Sequence, residues 1–294
     1  MNAVGDFFLL GVLLYAFAKR KKPIHAIRFS YAYTCYEVKN MQLSVCVDAL
    51  FSGKDFYDSL ELLHKNGFDK VEFWAWWKKD VDRIKLIVEK NGMTVTALCT
   101  KFISLVDPAY REDYLAGLKE SVDVAKKLGC KRIISQVGND TGEDRTIQAQ
   151  SLTEGLIEAA KLLEGTDIVL VVEPLNTLVD HPGYFLVRSD EAFDIIDRVS
   201  SEHIKILFDI YHQQISEGNV VTNIVNNIEK IAHFHSAGSF GRHELDNGEL
   251  NYGYVIKKIE ETDYNGFFGV EYFPENDPIK GLLKLNEIIK TKAP

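Results

Sequence analysis

Short apolar stretches alternate with longer amphipathic segments along the chain from residue 41 onwards. The short stretches are rich in β-branched residues and predict β-strands, whereas the longer segments carry apolar residues at three- and four-residue spacing and predict helices. The predicted strands cover residues 43–47, 70–74, 94–98, 132–136, 168–173, 205–210, 231–236 and 267–272. The predicted helices cover residues 57–66, 80–91, 111–128, 143–164, 189–200, 217–229, 252–261 and 278–290.

Residues at the segment ends support these helix boundaries. Gly67, Gly92, Gly129 and Gly165 each follow a predicted helix, where glycine is a common helix stop. Ser189 is a candidate N-cap because its hydroxyl can accept a hydrogen bond from the first helical turn.

The order of the elements indicates the fold. Strands that alternate with helices imply βαβ units and a parallel sheet. Eight such units between residues 41 and 294 match the usual size of a closed barrel. No Pro/Gly/Ser-rich linker divides this region. We therefore predict an α/β protein with a single (β/α)8 TIM barrel as its catalytic domain over residues 41–294; an open, doubly wound sheet is the alternative.

The first 40 residues do not follow this pattern. An apolar run over residues 7–18 is followed by four basic residues at 19–22. A membrane-spanning helix needs about 20 apolar residues, and a secretory signal carries its positive charges before the apolar run. We therefore predict that residues 1–40 are an N-terminal extension outside the fold, with a weak membrane-surface anchor as the alternative.

Composition and charge narrow the function. With 46% hydrophobic and 26% charged residues, the chain has the composition of a soluble globular protein. A net charge of −9 argues against a nucleic-acid-binding surface, which needs clustered Lys and Arg, but it allows a small anionic substrate in a locally positive site. The cysteines are scattered, at Cys35, Cys46, Cys99 and Cys130. Reduced thiols in the cytoplasm are the simplest interpretation.

Four candidate metal ligands stand at the ends of the last four predicted strands: Glu173, Asp209, His235 and Glu271. In a (β/α)8 barrel the functional groups lie at the carboxyl ends of the strands, so these side chains are expected to meet. A buried carboxylate is costly unless it is paired or bound to a metal. Three oxygen donors and one imidazole suit Mg or Mn best, with Co or Zn also possible.

This donor set predicts proton-transfer chemistry. A bound cation can polarise the carbonyl of an α-hydroxycarbonyl compound as a Lewis acid. Glu173 and Glu271 can then act as the acid/base pair that moves a proton between adjacent carbons. Each residue taken alone has a simpler interpretation: Glu173 as half of a buried ion pair, His233 as a core or outer-sphere histidine, and His212 as a loop cap.

Longer motifs resemble a known family. The segments EPLN with HPGYFL, DIYHQQ with EGN, and GRHELDNGELNY resemble hydroxypyruvate isomerases, within the xylose isomerase-like barrels that also include ketose 3-epimerases and endonuclease IV. The resemblance implies isomerisation of hydroxypyruvate through an enediolate, either cofactor-free or metal-assisted. It also implies that His212 and Arg242 contact the substrate, since arginine binds a carboxylate bidentately, and that the GRHELDNGELNY segment forms a lid.

Several alternatives remain open on the sequence. Trp74, Trp76 and Trp77 are bulky for a three-carbon substrate; Trp74 is our candidate for substrate contact, and two of the three can pack under the loop. The same carboxylates suit a ketose 3-epimerase or a longer-chain 2-oxo acid isomerase. A non-catalytic barrel that binds a sugar acid is a further alternative. An endonuclease IV-like enzyme fits less well, because the early strands offer no histidine ligands. A homo-oligomer is possible.

Overall fold

The computed structural model describes residues 41–291. The predicted extension over residues 1–40, and Cys35 within it, lie outside the described residues. Within residues 41–291, no helix is both long enough and apolar enough to cross a membrane. Cys46, Cys99 and Cys130 are buried free thiols, as expected for cysteines outside a disulfide framework.

Eight parallel strands form a closed barrel in which each strand pairs with the next and the last pairs with the first. They are β1 (Gln42–Cys46), β2 (Lys70–Phe73), β3 (Thr94–Cys99), β4 (Arg132–Ser135), β5 (Val169–Val172), β6 (Ile204–Asp209), β7 (Ile231–His235) and β8 (Phe267–Val270). The (β/α)8 prediction is confirmed, and the alternative of an open sheet was wrong. No predicted strand end is more than two residues from the observed one.

The helices surround the barrel, and most of them lie in the predicted segments. They are α1 (Val47–Leu50), α2 (Phe56–Lys65), α3 (Val81–Asn91), α4 (Arg111–Leu128), α5 (Arg145–Leu163), α6 (Ser189–Val199), α7 (Ile210–Ser216), α8 (Val220–Asn226), α9 (Tyr252–Glu260) and α10 (Pro278–Thr291). Short 3-10 helices lie at Trp76–Lys78, Pro108–Tyr110 and Ile228–Lys230. Gly92 and Gly129 end α3 and α4 with φ values of 64° and 67°, a left-handed conformation that glycine adopts without strain.

The segment after β6 differs from the prediction. The Asp209 carboxylate accepts hydrogen bonds from the backbone N–H of Tyr211 at 2.8 Å and of His212 at 3.2 Å, so it caps α7. The strand therefore ends at Asp209, and a helix begins at once. The single helix expected over residues 217–229 is replaced by α8 and a 3-10 turn.

The expected cap at Ser189 was also wrong. Arg188 occupies the N-cap position of α6, without a capping side chain, and Ser189 is the first helical residue. The hydroxyl of Ser189 instead donates a hydrogen bond to Glu217, at the end of α7. A tertiary contact has taken the place of the local one.

Side chains alternate between the two faces of the barrel strands. Residues such as Val71, Phe234 and Phe268 point outward and belong to the main apolar core under the helices. The intervening residues point into the barrel. On one side of the interior they form a small apolar cluster of Ala97, Cys99, Ile134, Val171 and Leu207. On the other side they are polar, with Glu72 and His233 fully buried.

Gly269, on β8, leaves space for this polar interior. A Cβ at this position would lie 2.5 Å from Cδ2 of His235 and 2.6 Å from the backbone oxygen of Phe234. We expect Gly269→Ala to lower the free energy of unfolding by about 1–3 kcal/mol, as overpacking does. Urea denaturation would measure the change.

Gly117→Ala is the matched control for that substitution. A Cβ at Gly117, inside α4, would meet the Lys101 side chain at 3.4 Å, which is an ordinary contact. Alanine also favours a helix over glycine by about 1 kcal/mol, so Gly117→Ala should be neutral or stabilising. Equal stability of the two variants would show that the space beside His235 is not needed.

Candidate active site

The structure brings the four predicted strand-end residues together. Glu173 and Glu271 directly follow β5 and β8, while Asp209 and His235 end β6 and β7. One ligand atom from each lies within 4.8 Å of the others, and all four residues are at least 95% buried. We call this group the carboxylate–histidine cluster.

The cluster has two layers. Glu173 and Glu271 line a cavity of about 620 Å³ at the carboxyl end of the barrel. Asp209 and His235 are not among the lining residues and lie beneath its floor, each 1% exposed. Only the two glutamates can therefore touch a substrate, whereas the two deeper residues can only support them or hold an ion.

His235 stands among three carboxylates. Its Nδ1 lies 3.4 Å from Oε1 of Glu173 and 3.5 Å from Oε2 of Glu271, and its Nε2 lies 2.8 Å from Oε1 of Glu72. Burial opposes a charged imidazole, but the fields of Glu271 and Glu72 outweigh it, so the pKa of His235 is raised well above its ordinary value. Without an ion, His235 is thus the cation of the cluster.

The pKa values of Asp209 and Glu271 are shifted in opposite directions. Burial raises the pKa of Asp209 to about 7, although Arg242 and His235 act against it. Burial would also raise the pKa of Glu271, but His235 and Arg242 outweigh it and hold that pKa well below the usual range. Glu271 is therefore a stable carboxylate, and Asp209 needs a stronger positive partner to be one at neutral pH.

The cluster has the chemistry to hold a divalent cation. It offers three carboxylates and one imidazole, which is a suitable donor set for Mg, Mn, Co or Zn. Both ring nitrogens of His235 are buried without a hydrogen-bond partner in the described part of the chain, and such an orphaned atom costs about 1–3 kcal/mol unless something binds it. A cation between the carboxylates would satisfy Nδ1 and stabilise the ionised form of Asp209.

The sequence analysis did not identify Glu72. This residue, on β2, is 1% exposed and lies inside the barrel. Its Oε2 accepts a hydrogen bond from Nε2 of His233 at 2.8 Å and from Oγ of Ser44 at 2.7 Å. His233 is thus not one of the four cluster residues, and with Glu72 and His235 it forms a second group whose ligand atoms lie within 4.8 Å of one another. The signal in the sequence was a glutamate between two apolar residues in the predicted strand KVEF.

Arg242 reaches the site from the loop after β7. Its Nη2 forms an ion pair with Oε2 of Glu271, and its Nη1 lies 3.6 Å from Oδ1 of Asp180. The backbone turns sharply to place it: Phe240, Gly241 and Arg242 have φ values of 110°, 84° and 58°. A non-glycine residue in this region costs about 1–3 kcal/mol, and such strain concentrates at functional sites.

His212 is held in one tautomer. Its Nδ1 lies 2.7 Å from Nδ2 of Asn176, whose Oδ1 already accepts the N–H groups of Val179 at 2.9 Å and Asp180 at 3.2 Å. The amide orientation is thus fixed, and Nδ1 must be the acceptor. Burial lowers the pKa of His212 well below its ordinary value. The neutral ring therefore carries its proton on Nε2, which has no hydrogen-bond partner among the described residues and lies 3.6 Å from Oδ2 of Asp209.

The three tryptophans make different contacts. Trp74 lines the cavity and donates from Nε1 to Oε1 of Glu271 at 2.7 Å. Trp76 donates to Ser121 at 3.1 Å, and Trp77 packs edge-on against Phe102 with ring centroids 5.2 Å apart. One tryptophan therefore contacts the site, and two support the loop.

A second residue that the sequence analysis missed is Gln136, just after β4. Its Nε2 donates to Oε2 of Glu173 at 3.2 Å, and it lines the cavity. Glu173 thus has a neutral amide partner, whereas Glu271 has a guanidinium. Arg242 is the only Lys or Arg among the lining residues of the described chain, and the carboxylates of Asp180 and Glu271, its two ion-pair partners, line the same cavity.

Comparison with known proteins agrees with this geometry. Residues 60–291 match the family described as "Xylose isomerase-like TIM barrel". The chain is 32% identical to hydroxypyruvate isomerase of Escherichia coli (strain K12), over 82% of this chain and 97% of that one. It is 29% identical to 2-oxo-tetronate isomerase of Cupriavidus necator, over 79% and 93% of the two chains.

A solved structure has the same fold. The crystal structure of a family 2 AP endonuclease from Brucella melitensis aligns with a TM-score of 0.81 and 26% identity, over 84% of this chain and 98% of that one. The barrel, the strand-end residues and these relatives lead to one conclusion. The chain belongs to the hydroxypyruvate isomerase family, within the xylose isomerase-like TIM barrels.

Proposed function

We propose that this protein is an isomerase that converts hydroxypyruvate, or a similar small 2-oxo acid with a neighbouring hydroxyl, into its aldehyde isomer through an enediolate. The observation that supports this most is the pair of glutamates, Glu173 and Glu271, that line one cavity together with a single arginine. Two carboxylates give a base and an acid, and the arginine gives a carboxylate anchor.

In this reaction, one glutamate removes a proton from the hydroxyl-bearing carbon, C3 of hydroxypyruvate. The electron pair forms a C2–C3 double bond, and the negative charge moves to the C2 oxygen. The other glutamate then delivers a proton to C2, and the C3 hydroxyl proton passes to the C2 oxygen, so that C3 becomes the aldehyde and C2 carries the hydroxyl. The product is tartronate semialdehyde, with no atom gained or lost. Proton transfer by a positioned side chain contributes about 10²–10⁴-fold to such rates.

The surrounding residues orient the substrate. Arg242 can bind the carboxylate with its planar guanidinium once it leaves Glu271. His212 keeps Nε2–H available for a substrate oxygen, because Asn176 holds the opposite ring nitrogen. Trp74 keeps Glu271 in place through its indole N–H and covers one side of the cavity.

The carboxylate–histidine cluster would hold a divalent cation through Glu173, Asp209, His235 and Glu271. Mg or Mn is our first choice, with Co or Zn as alternatives. When bound, such an ion supplies Lewis-acid stabilisation of the developing oxyanion. Glu173 and Glu271, two of the residues that would hold it, also line the cavity.

Solvent deuterium exchange tests the proposal. The enzyme would be incubated with hydroxypyruvate in D2O, and the product would be reduced in a coupled assay and analysed by mass spectrometry and NMR. We expect conversion with deuterium at C2, because the proton that the second glutamate delivers to C2 exchanges with the solvent. Absence of any conversion of hydroxypyruvate and of other 2-oxo acids would contradict the proposal.

One observation favours a longer substrate as the second candidate. The cavity of about 620 Å³ falls within the range that encloses drug-sized ligands, so a three-carbon acid would fill only part of it. A longer-chain 2-oxo acid with further hydroxyls, or a ketose undergoing C3 epimerisation, would use more of the apolar wall formed by Phe102 and Phe273. Comparing kcat/KM for three- and four-carbon 2-oxo acids and for free ketoses would choose among them.

A further inference from the structure

A buried polar network lies inside the barrel beneath the carboxylate–histidine cluster. It consists of Ser44 on β1, Glu72 on β2, Thr96 on β3, and His233 and His235 on β7. We call it the Glu72 network. Glu72 and the two histidines are each at most 1% exposed, and none of the three lines the cavity above. The network therefore cannot contact a substrate.

Burial of the Glu72 carboxylate destabilises the fold unless its partners compensate for the lost solvation. A buried carboxylate without sufficient partners destabilises a protein by several kcal/mol, and apolar residues fill most barrel interiors at lower cost. Here its Oε2 is engaged by His233 at 2.8 Å and Ser44 at 2.7 Å. Its other oxygen, Oε1, has no hydrogen-bond partner within residues 41–291 and lies beside the His235 ring.

The contact with His235 distinguishes the two ring nitrogens. Oε1 of Glu72 lies 2.8 Å from Nε2, on the side facing the barrel interior. Nδ1 lies on the other side, 3.4 Å from Glu173 and 3.5 Å from Glu271. A carboxylate next to Nε2 favours the tautomer with the proton on that nitrogen, which leaves the lone pair on Nδ1. Only that tautomer can present Nδ1 to a cation.

Gly269 gives this arrangement its space. A Cβ on Gly269 would lie 2.5 Å from Cδ2 of His235 and 2.8 Å from Oε1 of Glu72. Any larger residue would thus push apart the two groups that the network holds in contact. The backbone of β8 and the side chain from β2 therefore confine the His235 ring from two directions.

We propose that Glu72 is a positioning residue that holds His235 with Nδ1 toward the carboxylate–histidine cluster and so sets the affinity of that cluster for a divalent cation. The inference rests on the metal site of the proposed function. It adds a residue from the other half of the barrel, where none of the four candidate ligands lies. Groups that orient a histidine ligand typically change metal affinity by about 10- to 100-fold when they are removed.

Isothermal titration calorimetry with Mn²⁺ on the full chain tests this inference. We expect the wild type to bind one equivalent, and Glu72→Gln to bind it about 10- to 100-fold more weakly. Ser44→Ala is the matched control, because it removes a hydrogen bond to the same carboxylate but leaves the contact with His235. It should change the affinity by less than about threefold, well below the effect of removing a group that orients a histidine ligand.

A spectroscopic measurement separates positioning from general destabilisation. Long-range ¹H–¹⁵N spectra of the Zn²⁺-loaded wild type should show His235 with a protonated Nε2 and a metal-bound Nδ1. Glu72→Gln should broaden or shift that signal, while His203, outside the network, keeps its own. His233→Gln keeps a donor for Oε2 of Glu72 and should retain most of the affinity, so the test does not depend on one variant folding.

The outcomes distinguish this inference from the proposed function. A wild-type protein that binds no divalent cation would overturn the proposed metal site and the inference with it. A wild type that binds, with Glu72→Gln binding equally well, would overturn the inference alone. An equal loss of Mn²⁺ affinity in Ser44→Ala would also overturn the inference, because it would indicate a purely structural role for the network. So would a second equivalent of Mn²⁺ that binds the wild type but not Glu72→Gln, because that ion would lie within the network.

Discussion

Replacing either cavity-lining glutamate with glutamine is expected to lower kcat by about 10²–10⁴-fold, the usual contribution of a positioned acid or base. Glutamine keeps the shape of Glu173 or Glu271 but cannot accept a proton from carbon. The double variant should be little slower than either single one, because the two groups act as a unit in the same isomerisation and their effects are not additive. Steady-state kinetics in the coupled assay would measure all three.

The two variants should differ in a second measurement. Glu173 has a neutral partner in Gln136, whereas Glu271 forms an ion pair with Arg242. Glu271→Gln therefore also releases the arginine, and we expect a change in KM as well as in kcat. Glu173→Gln should change mainly kcat.

Glu202→Gln is the control for both variants. Its side chain is 94% exposed and pairs only with Lys205 at the surface, so kinetic constants should match those of the wild type. Turnover by Glu173→Gln or Glu271→Gln within about tenfold of the wild type would be far less than acid/base catalysis contributes and would contradict the assignment. Retained substrate binding without turnover in the wild type would instead identify a barrel that only binds sugar acids.

The barrel could be predicted because its signal repeats. Each strand is a short apolar run buried on both faces, and helices α3 and α4 end at glycines that adopt a left-handed conformation. With eight such units the sheet closes into a barrel, and closure places the ends of β5 to β8 around one point. The meeting of Glu173, Asp209, His235 and Glu271 followed from topology and needed no knowledge of side-chain contacts.

Residues that act through tertiary contacts escaped prediction. Glu72 precedes His233 by 161 positions, and Asn176 precedes His212 by 36, so no local spacing connects either pair. The α7 helix was not predicted because Asp209 is both a cluster residue and the N-cap of that helix, which begins at the next residue. Sequence patterns report periodicity, and these contacts have none.

Loop geometry was the other missing part. Arg242 lies seven positions after His235, and its reach into the cavity depends on three successive residues with positive φ, two of which are not glycine. Residue preferences do not predict such a turn. Backbone hydrogen bonds to residues beyond the turn stabilise it. The N–H of Phe273 donates to the carbonyl of Arg242 at 2.8 Å, and the N–H of Gly238 donates to the carbonyl of His243 at 2.8 Å.

Arg242→Gln should produce the second large effect, a fall in kcat/KM of about 100-fold or more for a 2-oxo acid. Arg242 is the one Lys or Arg that lines the cavity among the described residues, and its side chain is only 11% exposed. Loss of a buried, charge-assisted contact costs about 2–5 kcal/mol, and about 1.4 kcal/mol corresponds to a tenfold change. Because the carboxylate is bound equally in the ground and transition states, most of the loss should be in KM.

Two further variants make that result specific. Arg242→Lys keeps a positive charge beside Glu271 but loses the planar fork, so it should recover only part of the affinity. Arg198→Gln, an exposed arginine on α6, should leave both constants unchanged. If Arg242→Gln lowered kcat while KM stayed constant, its role would be to control Glu271 and not to bind the substrate.

The same variant can choose between the two candidate substrate classes. A ketose has no carboxylate, so a ketose 3-epimerase gains nothing from a guanidinium fork at this position, and Arg242→Gln should slow a ketose and a 2-oxo acid to different extents. We expect the 2-oxo acid to lose at least about tenfold more in kcat/KM than any ketose, which corresponds to about 1.4 kcal/mol of carboxylate-specific binding. Equal losses for both substrates would mean that Arg242 acts through Glu271 alone, and the single positive charge of the cavity would then no longer favour an acid over a neutral sugar.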